Sequence, residues 1–229
     1  MAFYDGTGKV ITISGIASNP YNGKTALWLG DSISVVGDPS YPRKVCNDLG
    51  MTLMNYASSG GNSDRMRQIL QGTGDYEGQA VDLSGVDYVF IMIGHNCDYA
   101  AEGLSNTGTV TSSMNNIPTD DTAYADFPTT FHGNLASCVE YIWAQNAAIQ
   151  IYFVTPIQGA TTRYIKTTPL ARDAIQEIGV FYSIPVIDVY ANSGIARKNI
   201  GTYTYDDIHP NADGIVRIAD CIEGFLLNN

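Results

Sequence analysis

Three side chains separated by most of the chain could carry chemistry together. Ser32 lies in Gly30-Asp31-Ser32-Ile33-Ser34, at the end of the first strongly apolar run, and Asp206 and His209 lie in Asp206-Asp207-Ile208-His209-Pro210, ahead of the last helical pattern. A serine hydroxyl is a weak nucleophile until a base takes its proton as it attacks. Imidazole titrates near neutral pH and suits that role. A carboxylate three residues before the histidine, on a turn, can accept the Nδ1 hydrogen and leave Nε2 facing the serine. The set predicts acyl transfer, with Ser32 as nucleophile, His209 as base and Asp206 as orienter. The order Ser…Asp…His excludes the chymotrypsin and subtilisin orders. Asp207 is the rival orienter, but its neighbouring position turns it elsewhere. Pro210 discourages helix at His209 and keeps the turn open. The plain structural alternative makes Ser32 a helix cap, with Asp31 or Ser34 helping.

These residues need elements to bring them together. From Thr25 onward, apolar runs at Ala26–Leu29, Leu53–Tyr56, Val86–Ile93, Ile149–Thr155 and Pro185–Asp188 predict strands. Helical spacing falls at Tyr41–Leu49, Ser63–Leu70, Thr129–Asn146, Pro169–Tyr182 and Asp213–Leu227, with Thr168-Pro169 as a helix-start signal. Continuous apolar strands alternating with helices predict a parallel sheet covered on both faces. The expected architecture is α/β: a three-layer α/β/α sandwich around a five-stranded, flavodoxin-like parallel sheet. Ligands in such folds bind outside the carboxyl ends of the strands. Ser32, Gly60, His95, Asn96, Thr155 and the Asp206–His209 turn all follow strands or enter the last helix, so all are expected at one rim. His95 and His132 read as ordinary polar residues, with His95 a possible lining of that rim.

The remaining composition sets bounds. A chain of 229 residues suits one large domain and needs no covalent staples. The net charge of −11 argues against nucleic acid or an anionic membrane as partner. Cys46, Cys97, Cys138 and Cys221 form no Cys-x-x-Cys pair, and with three scattered histidines they read as free thiols rather than a zinc site. Residues 1–24 are expected as an appendage, a small β-hairpin over 3–16 and a linker at Asn19–Gly23, ahead of a domain at 25–229. The start of the chain has no signal-peptide pattern and no run long enough to span a membrane. A cytoplasmic, virion-associated or excised surface-protein origin all remain open, as does the oligomeric state. The Asn/Ser/Thr/Gly-rich stretch 98–128 is expected as a long insertion, either a loop contacting substrate or a decoration.

Four blocks in order resemble those of the SGNH (GDSL-type) hydrolases: Gly30 to Ser34, Asn55-Tyr56-Ala57-Ser58-Ser59-Gly60-Gly61, Ile93-Gly94-His95-Asn96, and Asp206 to Pro210. Phe153-Val154-Thr155-Pro156 and Ile184 to Asp188 are similar to strands of esterase members. The resemblance implies an oxyanion hole made of the Ser32 N–H, the Gly60 N–H and the Asn96 side-chain amide, with no metal or organic cofactor. It departs from the family at Cys97, where an aspartate usually follows the asparagine. The implied substrate is a short acyl ester, an O-acetyl group on a carbohydrate above all, with Tyr99, Tyr124 and Tyr164 as candidate sugar contacts. A lipid or thioester acyl hydrolase and a non-catalytic glycan-binding module are the alternatives. An FMN-phosphate loop at Ser58–Ser63 is a further rival, but it would be expected after the first strand and leaves Asp206 and His209 unexplained. The N-terminal hairpin resembles segments preceding such domains in phage-tail and cell-surface proteins.

Overall fold

The structure is a computed structural model that describes residues 3–4, 10–11, 19–97 and 123–228. Residues 98–122, most of the expected insertion, and Tyr99 with them, lie outside the described residues. Two short strands, β1 (Phe3–Tyr4) and β2 (Val10–Ile11), pair antiparallel. The main sheet contains β3 (Thr25–Gly30), β4 (Thr52–Asn55), β5 (Tyr88–Met92), β6 (Gln150–Val154) and β7 (Val186–Ile187). All five are parallel, in the order β4-β3-β5-β6-β7. This is the expected flavodoxin-like arrangement, with β3, which leads to Ser32, next to β5, which leads to Asn96.

Side chains alternate across each strand, so the sheet has two buried faces. Leu27, Leu29, Val89, Ile91, Ile151 and Phe153 point to one face, where α2 (Ser63–Gln71), α3 (Phe131–Gln145) and α4 (Thr162–Tyr182) pack. Ala26, Trp28, Phe90, Met92 and Val154 point to the other, under α1 (Tyr41–Leu49) and α7 (Ala212–Asn228). Two short helices, α5 (Val189–Asn192) and α6 (Ile200–Tyr203), lead into α7. On this second face Trp28 stacks on Phe90 at 4.3 Å between ring centroids, and Phe90 on Tyr152 at 5.2 Å. Each such pair contributes about 0.5–1.5 kcal/mol beyond the burial of its area. Packing of this extent leaves cross-links unnecessary, and all four cysteines are free thiols.

One helix differs from expectation. α4 begins at Thr162, not at Pro169, and its N-cap is Thr161, whose side chain accepts the Tyr164 N–H. Pro169 lies inside the helix, where it removes one backbone donor. Thr168, read as a cap, is instead buried in the helix and donates its hydroxyl to the Tyr164 carbonyl at 2.7 Å. Thr167 donates likewise to Arg163 at 3.0 Å. Such back-bonding eases the helix around a proline. The segment 19–24 also has a firmer place than a linker. Tyr21 is buried, its hydroxyl donates to the Leu226 carbonyl at 3.1 Å, and Asn19 donates to the Leu49 carbonyl at 2.9 Å.

Candidate active site

Strand β3 ends where only glycine fits. A Cβ on Gly30 would lie 2.5 Å from the Met92 carbonyl oxygen and 2.6 Å from Ser34 Oγ. The chain then turns into a 3-10 helix over Ser32–Ser34. Its cap is Asp31, whose Oδ1 accepts the Ile33 N–H at 3.0 Å. Because Asp31 does the capping, the Ser32 hydroxyl is left for another partner.

That partner comes from the loop before α7. The loop is closed by the Tyr205 N–H donating to the His209 carbonyl at 2.9 Å, and by an antiparallel bridge between Thr204 and Pro210. Asp207 sits at its tip with φ +66°, a left-handed conformation that aspartate tolerates better than most residues. His209 Nε2 lies 2.9 Å from Ser32 Oγ, across 177 residues of sequence. His209 Nδ1 lies 2.7 Å from Asp206 Oδ2, and Asp206 Oδ1 accepts the His209 backbone N–H at 2.8 Å. One carboxylate therefore fixes both the ring and the backbone of the histidine. Burial pushes the Asp206 carboxyl up, but hydrogen bonds from the His209 side chain and backbone outweigh it and hold the group below the usual carboxylate range. Asp207 takes no part in this contact.

The remaining predicted residues lie on two loops tied to the same turn. After β4, the Tyr56 and Ser58 N–H groups donate to the Trp28 and Gly30 carbonyls, and the Gly61 N–H closes a turn onto Ser58 at 2.9 Å. Gly60 has φ +70°, open space where a side chain would be, and an N–H with no acceptor among the described residues. After β5, Asn96 donates one amide hydrogen to the Gly61 carbonyl at 3.2 Å. Asn55 adds a further tie by donating to the Ser34 carbonyl at 3.0 Å. The structure thus brings Ser32, Gly60, Asn96, Asp206 and His209 to the carboxyl edge of the sheet.

Other candidates fall elsewhere. His95 is fully buried beneath the rim rather than lining it, against Asp31, the Ile157 carbonyl and the edge of Tyr164. His132 is buried in α3, 3.3 Å from Glu177, and burial pushes its pKa down to about 4. Tyr124 packs edge-on against Tyr141. Cys97 is fully buried. Two exposed rings that sequence reasoning passed over stand beside these loops' residues in sequence: Tyr56, after Asn55, and Tyr205, before Asp206 and 72% exposed. Val35, one turn beyond Ser32, is 41% exposed.

The model of the GDSL-like Lipase/Acylhydrolase family matches residues 28–215. A search of curated proteins finds no match. Among solved structures, the lipase/acylhydrolase from Enterococcus faecalis superposes with a TM-score of 0.59 at 19% identity, covering 89% of this chain and 95% of that one. A GDSL-like lipase from Bacteroides thetaiotaomicron superposes at 0.57 and 17% identity, covering 89% and 87%. A member of the lipolytic protein G-D-S-L family from Veillonella parvula gives 0.58 and 16%, covering 90% and 100%. At these identities the superpositions speak for the fold.

Proposed function

The chain belongs to the GDSL-like lipase/acylhydrolase family and is a hydrolase of carboxylic esters, and from that premise we propose that Ser32, His209 and Asp206 are its catalytic triad, acting on short acyl esters. The observation that carries this reading is the hydrogen-bonded run from Ser32 Oγ through His209 to Asp206. Ser32 Oγ attacks the ester carbonyl as His209 Nε2 takes its proton. The tetrahedral oxyanion is held by the N–H groups of Ser32 and Gly60 and by the Asn96 amide. Collapse expels the alcohol, which takes the proton from His209, and leaves an acyl group on Ser32. Water, deprotonated by His209, then attacks the acyl group and releases the acid and Ser32. Each oxyanion donor lowers the barrier by about 2.7–4 kcal/mol. No metal or organic cofactor enters this sequence.

The substrate class is an O-acetyl ester on a carbohydrate. The exposed rings of Tyr56 and Tyr205 support it, because an aromatic face with a polar edge suits a sugar, whose surface alternates C–H and O–H groups. The catalytic unit is the domain at 25–229, and residues 1–24 are an appendage anchored through Asn19 and Tyr21. The test is hydrolysis of p-nitrophenyl esters of increasing chain length, with a panel of acetylated sugars. Ser32→Ala is expected to abolish turnover while the melting profile stays unchanged, and acetyl is expected to exceed octanoyl. A fully active Ser32→Ala removes Ser32 from the mechanism. Preference for octanoyl moves the substrate to lipid, and saturable glycan binding without turnover makes the fold a binding module.

A further inference from the structure

We propose that His95 is a positioning residue for this hydrolase: sealed beneath the rim, it ties the loop carrying Asn96 to the turn carrying Ser32 through its backbone N–H, and to the loop after β6 through its ring. The inference rests on the reading of Ser32 and Asn96 as oxyanion donors given above.

His95 and Asp31 are both completely buried. His95 Nε2 lies 3.2 Å from the Ile157 carbonyl oxygen. A carbonyl can only accept, so that nitrogen carries a hydrogen and donates. On the other side of the ring, Nδ1 faces Asp31 Oδ2 at 3.4 Å and has no hydrogen-bond partner among the described residues. The His95 backbone N–H donates to the same Oδ2 at 3.3 Å. The second oxygen of Asp31 is the one that accepts from Ile33 and caps the turn opened by Ser32. A carboxylate taken wholly out of water is tolerated only where donors or a counter-charge face it. His95 supplies its backbone N–H to this one, while its ring donates on the other side, to the Ile157 carbonyl.

The placement in sequence gives the pair its consequence. Ser32 follows Asp31, and Asn96 follows His95. Each donor is therefore covalently next to one member of the buried pair, so the pair sets the spacing between the two donors. The link to Ile157 extends the brace to the loop after β6. His95 touches no reacting atom in this scheme. It acts through Asn96.

The experiment is steady-state kinetics on p-nitrophenyl acetate with His95→Ala, His95→Asn, Asn96→Ala and the His95→Ala/Asn96→Ala double variant, each checked by its melting profile. His95→Ala is expected to lower kcat about 100-fold, the usual scale for a small misplacement of a catalytic group, with KM changed by less than about threefold. His95→Asn, whose amide can still donate toward the Ile157 carbonyl, is expected to recover about tenfold of that loss. With Asn96 already truncated, losing His95 is expected to cost less than about threefold, because two groups acting as one unit are not additive. A wild-type kcat in His95→Ala, a loss confined to KM, or an equally large loss in the Asn96→Ala background overturns the inference. If His95→Ala does not fold, His95→Asn alone and combined with Asn96→Ala carry the same comparison. Full activity of Asn96→Ala instead overturns the oxyanion reading on which the inference stands.

Discussion

Asp206 shows how much one carboxylate can do at a turn. Its two oxygens divide the work: one orients the His209 ring and the other holds the His209 backbone. Replacing it with asparagine keeps the shape but removes the charge that stabilises an imidazolium. Asp206→Asn is expected to lower kcat by about 100- to 10,000-fold with little change in KM. The lower part of that range is favoured, because the carboxylate is half exposed and water partly substitutes for it. Stopped or steady-state assays of the purified variant measure this directly. The linkage has a definite sign. Since the folded state holds the Asp206 carboxyl below its usual range, its stabilising contact is complete above that range and is lost only as pH falls through the depressed value. The meeting of Ser32, Asp206 and His209 was legible in the sequence because residue type, spacing and turn chemistry all pointed to it. Asp31 and His95 were not recognised as a pair. No local spacing connects positions 31 and 95; only the pairing of β3 with β5, with Gly30 opposite Met92, brings them together. That pairing, once the strand order is assumed, is the signal that was available.

The helices carry a second lesson. α4 was expected to begin at Thr168-Pro169 because a proline most often marks a helix start. The helix runs through it, since threonine side chains satisfy carbonyls around the gap and Ala171, Ala174, Ile175 and Ile178 bury their faces against the sheet. Burial of that stripe outweighs a local breaker. α1 and α7 meet with an acidic cluster at their edge. Burial pushes the Glu223 carboxyl up to about 7, Asp48 and Asp220 add repulsion, and Lys44 only partly offsets them. A carboxyl with a raised folded-state pKa contributes stability that is complete below its ordinary value near 4.5 and is lost as pH rises through about 7. Glu223→Gln keeps the neutral form at every pH. The variant is expected to melt at the same temperature as wild type near pH 5 and higher at pH 8. Its thermal denaturation across that range provides the measurement. His132 works in the opposite sense, since its stabilising contribution is lost as pH falls from about 6.5 toward 4, so the difference between variant and wild type is the quantity to read.

The parallel sheet and its two buried faces were legible because every central strand is apolar on both sides, which only a doubly covered sheet accommodates. The placement of residues 19–24 was harder to see. Asn-Pro-Tyr-Asn-Gly has the composition of a linker, and nothing local reveals that Tyr21 reaches a carbonyl 205 residues away. Two changes test the proposed division between appendage and domain. Deleting residues 1–18 is expected to leave esterase activity and melting temperature unchanged, in keeping with a family match that begins at residue 28. Tyr21→Ala is expected to cost about 3 kcal/mol of stability, by analogy with other large-to-small core changes. Chemical denaturation of the two proteins distinguishes these outcomes.

His209 stands at the doorstep of α7, and α7 also roofs the face holding Trp28 and Phe90. Sealing one half of the interior and delivering imidazole to hydroxyl are therefore a single event. A nascent chain emerging from the ribosome with Ser32 long since outside the exit tunnel has no such contact until its closing helix docks. Catalytic competence and the maturation of tryptophan fluorescence from Trp28 should rise together during refolding, as two readouts of one closure.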